Sequence, residues 1–179
     1  MQETLSVFFD VLLVFVLVLL NGFFVAIEFA IVRSHPTKLR SPETYRKLGS
    51  RAGLRLIDDL DNSLSATQLG ITVASLVLGW WGETTFQKLL VPWFERLSPE
   101  DATFASHAVA TAIALVLISF LHVVLGELAA KSLAIRFPET TLRLSARPMV
   151  IFCVLFKPFI YVLNGSASLL LRLFGVVVS

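Results

Sequence analysis

Between Leu5 and Val32 the chain is apolar almost without relief. Past Ser6, only Asp10, Asn21 and Glu28 interrupt it. One bilayer-crossing helix needs about 20 mostly apolar residues, and this run exceeds that. Inside hydrocarbon every backbone N–H and C=O must bond within the chain, so such a run is confined to a helix. Two further runs read the same way, at about 64–81 and about 102–130. Composition agrees, with 56% hydrophobic and 16% charged residues over 179 positions, where soluble domains hold about 45–50% apolar residues. The fold class predicted is an all-α integral membrane protein, with room for three or four crossings.

Charge marks the ends of these runs. Arg33-Ser-His-Pro36 closes the first with a base and then a helix breaker. The block 33–62 carries Arg33, Lys38, Arg40, Arg46, Lys47, Arg51 and Arg55 against Glu43, Asp58, Asp59 and Asp61. A loop so rich in bases stays in the cytoplasm. A helix on the membrane face is expected within Ser50–Leu60. Trp80 and Trp81 mark the far interface, where indoles settle at headgroup depth. Glu83–Leu97 reads as an amphipathic continuation, and Ser98-Pro-Glu-Asp101 as a turn that caps the next helix. The third run ends on Lys131 and Arg136, while the outer regions 1–10 and 82–105 hold only Lys88 and Arg96. The N-terminus is therefore expected outside and the C-terminus in the cytoplasm, in a cell inner (plasma) membrane. Met1-Gln-Glu-Thr lacks a basic start, so the first run is expected to be a retained span rather than a signal peptide.

The transmembrane region is thus placed at 1–136 and a separate tail at 137–179. In the tail, Pro138, Pro148 and Lys157-Pro158 break the apolar pattern, and Asn164-Gly-Ser166 divides the remaining apolar stretch in two. A fourth crossing would put Lys157 and Pro158 into hydrocarbon. Helices lying in the cytoplasmic interface are the preferred reading.

Several function classes fall away. The net charge is +2, and the bases flank apolar runs as topology signals do, so no nucleic-acid partner is expected. A lone Cys153 provides neither an intramolecular disulfide nor a multi-Cys metal site. There is no Gly-rich phosphate loop, no Gly-x-Ser-x-Gly and no His-Glu-x-x-His, so the chain is not expected to be an enzyme.

The polar residues inside the spans carry the chemistry. Gln68, Thr72, Ser75 and Gly79 share one helix face, at offsets of 4, 7 and 11. Two readings stand: close helix packing through small and hydroxyl residues, or an oxygen-lined path. Asn21, Val25 and Glu28 share another face, and Asn21-Gly22 can loosen its helix and free a carbonyl. Glu28 either pairs with a base such as Arg33 or belongs to the path. Ser119, His122 and Gly126 line up at offsets of 3 and 7, with Glu127 beside Gly126. His122 bonds a neighbouring helix, relays a proton or binds a metal. Glu127 is costly in hydrocarbon without a cation. Lys131 at i+4 is one candidate partner, and a bound metal is the favoured one. Carboxylate, hydroxyl, amide and carbonyl oxygens suit magnesium or calcium over zinc or copper.

Three strings taken together resemble the membrane domain of the CorC/cyclin M family of magnesium transporters. They are Leu20-Asn-Gly-Phe-Phe-Val-Ala-Ile-Glu-Phe-Ala-Ile-Val-Arg33, Ser65-Ala-Thr-Gln-Leu-Gly-Ile-Thr-Val-Ala-Ser-Leu-Val-Leu-Gly79 and His122-Val-Val-Leu-Gly-Glu-Leu-Ala-Ala-Lys-Ser-Leu-Ala134. The resemblance implies three spans per subunit, a belt of juxtamembrane helices at the cytoplasmic face and a homodimer in the lipid bilayer. It implies magnesium export coupled to inward sodium, and cytoplasmic CBS domains in the full-length chain. It points to Asn21, Ser75, the Gly126 carbonyl and Glu127 as the magnesium ligands. Glu28, Gln68, Thr72, Ser119 and His122 are the further candidates for an ion pathway. Val25 stands where many relatives carry Ser, and Ala130 where many carry Pro. A magnesium sensor that does not transport is the alternative function.

Overall fold

A computed structural model of the chain describes residues 2–97 and 104–174. The expected turn at Ser98–Asp101 and the apolar residues 175–178 lie outside the described residues. Among the described residues the regular structure is helical, with no strand. In chain order the helices are α1 (Gln2–Arg33), α2 (Pro36–Leu39), α3 (Pro42–Tyr45), α4 (Ser50–Asp58), α5 (Leu60–Leu97) and α6 (Phe104–Leu121). A π-helix (His122–Ala129) comes next, then α7 (Ala130–Arg136), α8 (Pro138–Leu155) and α9 (Lys157–Leu173).

Among the described residues three helices are long and apolar enough to cross a membrane: Leu5–Arg33, Leu60–Phe86 and Thr111–Arg136, the last running through α6, the π-helix and α7. The pair α8 and α9, bent by 77° at Phe156, raises the number to four if it counts as one broken span. The all-α membrane fold is as the sequence predicts. Two details differ from it. α1 continues unbroken through Asn21-Gly22, because no water is present in hydrocarbon to take over a lost backbone bond. α8 runs from Pro138 to Leu155 through Pro148, where the sequence predicts a break, whereas α5 reaches Leu97 as the continuation over Glu83–Leu97 predicts.

The chain packs as two compact units. The first comprises Met1–Gly22 and Thr72–Ala129. Its apolar core is Val14, Leu17 and Val18 of α1, Leu78 of α5 and Ile118 of α6. Gly82 lets α5 approach Ile118, whose side-chain carbons lie 3.2 Å from where a Cβ would be.

The second unit comprises Phe23–Ile71 and Ala130–Ser179. Its core is larger and draws on short helices. Ile27 and Ile31 of α1, Leu39 of α2, Leu54 and Leu56 of α4, and Leu142, Ala146 and Met149 of α8 are buried together. α4 packs along α8, with Gly53 against Leu142. The turn into α4 depends on Gly49, whose φ is 85°. A side chain there would be strained by that backbone and would also overlap the Arg143 carbonyl. Phe24, Phe152 and Phe156 stack in series, with centroids 4.9 and 4.4 Å apart. Lys38 Nζ meets Glu139 Oε1 at 3.1 Å. Burial pushes the Glu139 carboxyl upward, but the Lys38 ammonium and backbone N–H groups outweigh it and hold it below its ordinary value.

Halfway along α9, Asn164 is tied to the start of α5. Its Nδ2 donates to Asn62 Oδ1 at 2.7 Å, and its Oδ1 accepts from the Ser65 hydroxyl. α9 is therefore held at the level where the second span begins.

Candidate metal site

Asn21 is fully buried on α1. A primary amide with no partner would be costly there, and its side chain is bonded at both ends. Nδ2 donates to the Gly126 carbonyl at 3.2 Å, and Oδ1 accepts from the Ser75 hydroxyl of α5 at 3.1 Å. The same hydroxyl lies 3.4 Å from His122 Nε2. His122 Nε2 in turn lies 3.9 Å from Glu127 Oε1, which is beyond hydrogen-bond range. One cluster thus joins α1, α5 and the third span within the first unit.

The π-helix is what makes this grouping possible. Residues five apart point about 140° away from each other in an α-helix, at 100° per residue. The i→i+5 bonding of a π-helix corresponds to about 4.4 residues per turn, which brings them within about 50°. His122 and Glu127 are such a pair, and they share a face only because His122–Ala129 is π-helical. Gly126 is the close-approach point. A Cβ added there would lie 3.0 Å from His122 Cδ2 and 3.2 Å from Asn21 Nδ2. The loosened backbone that the sequence suggested at Asn21-Gly22 is found instead in the third span, at the residue whose carbonyl Asn21 binds.

Of the sequence-predicted site residues, Asn21, Ser75, Gly126, Glu127 and His122 are together. Glu127 keeps 49% of its side chain exposed, against 20% for His122, so its carboxylate forms the open edge of the cluster. Ser119 and Thr72 are exposed in the same unit. Glu28, half-buried, and Gln68, exposed, belong to the second unit. Lys131, considered as a partner for Glu127, instead places its ammonium 4.5 Å from the centre of the Phe29 ring. That is a cation–π contact. Among the described residues no three His, Cys, Asp or Glu side chains converge. A cation here would be held by neutral oxygens around one carboxylate.

Sequence reasoning missed one polar clasp. Asp10 Oδ2 accepts from Lys88 Nζ at 2.8 Å, and Asp10 Oδ1 from Trp81 Nε1 at 3.3 Å, joining α1 to α5. The signal was present: an acid in an apolar run needs a cation, and Lys88 is one of two bases in the expected outer regions.

Helix lengths, hydropathy and buried polar contacts define a polytopic helical membrane domain. The particular family comes from comparison with known proteins. The cyclin M transmembrane N-terminal domain matches residues 12–179, and the chain belongs to that family. It is 48% identical over 167 residues to the UPF0053 protein YhdT of Bacillus subtilis, covering 93% of this chain and 36% of that protein. It is 44% identical over 160 residues to YrkA of the same organism, covering 89% of this chain and 36% of that protein. A protein of Mycobacterium tuberculosis, MT1889, is 35% identical over 166 residues, covering 93% of this chain and 46% of that protein. The chain spans roughly a third to a half of the length of these relatives.

Proposed function

We propose that this domain carries magnesium across the membrane, with the ion held by Asn21 Oδ1, Ser75 Oγ, the Gly126 carbonyl and Glu127. The observation that carries the reading is that Asn21 Oδ1 and Ser75 Oγ meet beside the Gly126 carbonyl, with Glu127 at the open edge of the same cluster next to His122, in a chain of the cyclin M transmembrane family. Magnesium takes six oxygens at about 2.1 Å, so neighbouring ligands lie about 3.0 Å apart. Asn21 Oδ1 and Ser75 Oγ are 3.1 Å apart, so the pair can pass from a hydrogen bond to a shared cation with little movement. The Gly126 carbonyl exchanges the Asn21 N–H for the metal. Glu127 supplies the charge, and waters complete the shell. One carboxylate among neutral oxygens favours modest affinity, which release of a cargo requires.

An inside-negative potential of 100 mV opposes export of a divalent ion by about 4.6 kcal/mol, at about 2.3 kcal/mol per charge. We infer that sodium entry drives export, with Gln68 and Thr72 on its path and a proton through His122 as the competing driver. The homodimer, the plasma-membrane setting with the N-terminus outside, the in-plane tail and the CBS domains beyond this domain belong to the same proposal. Support for an in-plane tail is the hold that Asn62 and Ser65 keep on Asn164.

The test is magnesium flux in proteoliposomes with and without a sodium gradient. Flux that tracks sodium supports the reading. Flux that tracks the pH gradient and is lost in His122→Ala assigns the coupling to protons. Magnesium binding without flux under any gradient overturns transport and leaves the sensor.

A further inference from the structure

In the second unit a cavity of about 330 Å³ opens between α4, the start of α5 and the α8–α9 elbow. Its wall has two characters. Val150, Val154 and Ile160 make an apolar side, and Arg55, Lys157 and Tyr161 make a polar one. Neither Arg55 nor Lys157 has an ion pair among the described residues. Asp59 also lines the cavity and keeps its negative charge while accepting a hydrogen bond from Asn62 Nδ2 at 2.8 Å, so the two cations share the groove with one carboxylate. Val154 is 70% exposed, so the apolar wall continues out to the surface, and Tyr161, 79% exposed, stands at the rim of the polar wall.

We propose that this groove holds an anionic phospholipid, with its phosphate between Arg55 and Lys157 and its acyl chains along Val150, Val154 and Ile160. Two unpaired cations beside an apolar wall match an amphiphile with an anionic head. Basic clefts beside membrane helices bind such headgroups, and a Tyr at the rim sits where headgroup and hydrocarbon meet. A soluble phosphate compound would leave the apolar wall unmatched. The proposal requires only a membrane domain and is independent of any transported ion.

Cys153 lines the same groove, and the sequence holds no other cysteine, so its thiol reports occupancy. The experiment measures alkylation of Cys153 by neutral N-ethylmaleimide in micelles containing phosphatidylglycerol, phosphatidylcholine or neither. Phosphatidylglycerol is expected to slow alkylation, while phosphatidylcholine and free glycerol phosphate leave it unchanged. Arg55→Ala and Lys157→Ala should each weaken the concentration dependence of protection about fivefold, the contribution of one basic side chain near an anionic surface. Asp59→Asn should strengthen it. Each protein is compared with itself, with and without lipid, so changes in intrinsic thiol reactivity cancel. Equal protection by both lipids overturns the proposal, as does unchanged phosphatidylglycerol protection in the double variant. Protection that rises with protein concentration in the absence of lipid would place a second copy in the groove and overturn it too. Native mass spectrometry of the unaltered protein gives a second readout. Retention of phosphatidylglycerol over phosphatidylcholine is expected, and equal retention contradicts the assignment.

Discussion

The two units are held by different forces. In the unit of Phe23–Ile71 and Ala130–Ser179, large side chains from short helices bury one another, with Ile27, Leu39, Leu142 and Met149 all fully covered. Its ion pairs lie at the margins, as with Lys38–Glu139 and Arg40–Asp58. In the unit of Met1–Gly22 and Thr72–Ala129 the described apolar core is only five residues. Polar contacts do the joining there: Asn21 to Gly126, Ser75 to Asn21, and Asp10 to Lys88 and Trp81. Apolar cores are close-packed and resist rearrangement. Hydrogen bonds can be exchanged one for another at small net cost. A region that exchanges partners is better built the second way, and a region that keeps its shape the first.

Breaking the unit with the larger apolar core should have the largest effect. Gly49→Ala combines a forbidden backbone with an overlap against backbone that cannot yield, and should lower stability by about 4 kcal/mol. Thermal unfolding in detergent measures it. A change below about 1 kcal/mol would mean that the unit with the larger apolar core relaxes as readily as the one joined by polar contacts. The next contrast is direct. Leu142→Ala and Leu78→Ala each delete a fully buried leucine, one from each unit. The first should cost about 4 kcal/mol and the second about 2, because a thin core collapses more easily onto the space left. Equal costs would remove the distinction between the units.

Much of this was legible in advance, for physical reasons. Spans show in sequence because hydrocarbon excludes water from long stretches at once. The grouping of Asn21 with Ser75 came from the family resemblance, since the residues alone put Asn21 on a face with Glu28 and Ser75 on a face with Gln68 and Thr72. The π register was not, since it depends on contacts from Asn21, which lies 105 residues from Gly126 in the chain. Its trace was the five-residue spacing of His122 and Glu127, which an α-helix would place on different sides. The Asp10–Lys88 clasp and the hold of Asn62 and Ser65 on Asn164 are likewise products of tertiary approach. Lys157-Pro158, in contrast, announced the elbow, since proline interrupts a helix locally.

Asn21→Ala should sharpen the contrast at the polar unit. It leaves the Gly126 carbonyl and the Ser75 hydroxyl without their partner, at about 2 kcal/mol, and should weaken magnesium binding in the same step. Leu142→Ala should reduce stability with magnesium affinity intact in the folded fraction. The smallest effect is expected at the margin of the second unit. The Glu139 carboxyl is held below its ordinary value, so its contribution is present above the ordinary carboxylate range and is lost as pH falls through the depressed value. Glu139→Gln should therefore narrow the gap in melting temperature between neutral and acidic pH. An unchanged gap would show that the Lys38 contact adds nothing.

The most direct measurement is magnesium binding to the purified domain by titration calorimetry, comparing the unaltered protein with Glu127→Ala. The account predicts a saturable site whose affinity is lost when the carboxylate is removed, while the melting temperature without magnesium stays close to the original because Glu127 is half exposed. Unchanged affinity in Glu127→Ala would contradict it and move the ion away from the cluster of Asn21, Ser75 and Gly126.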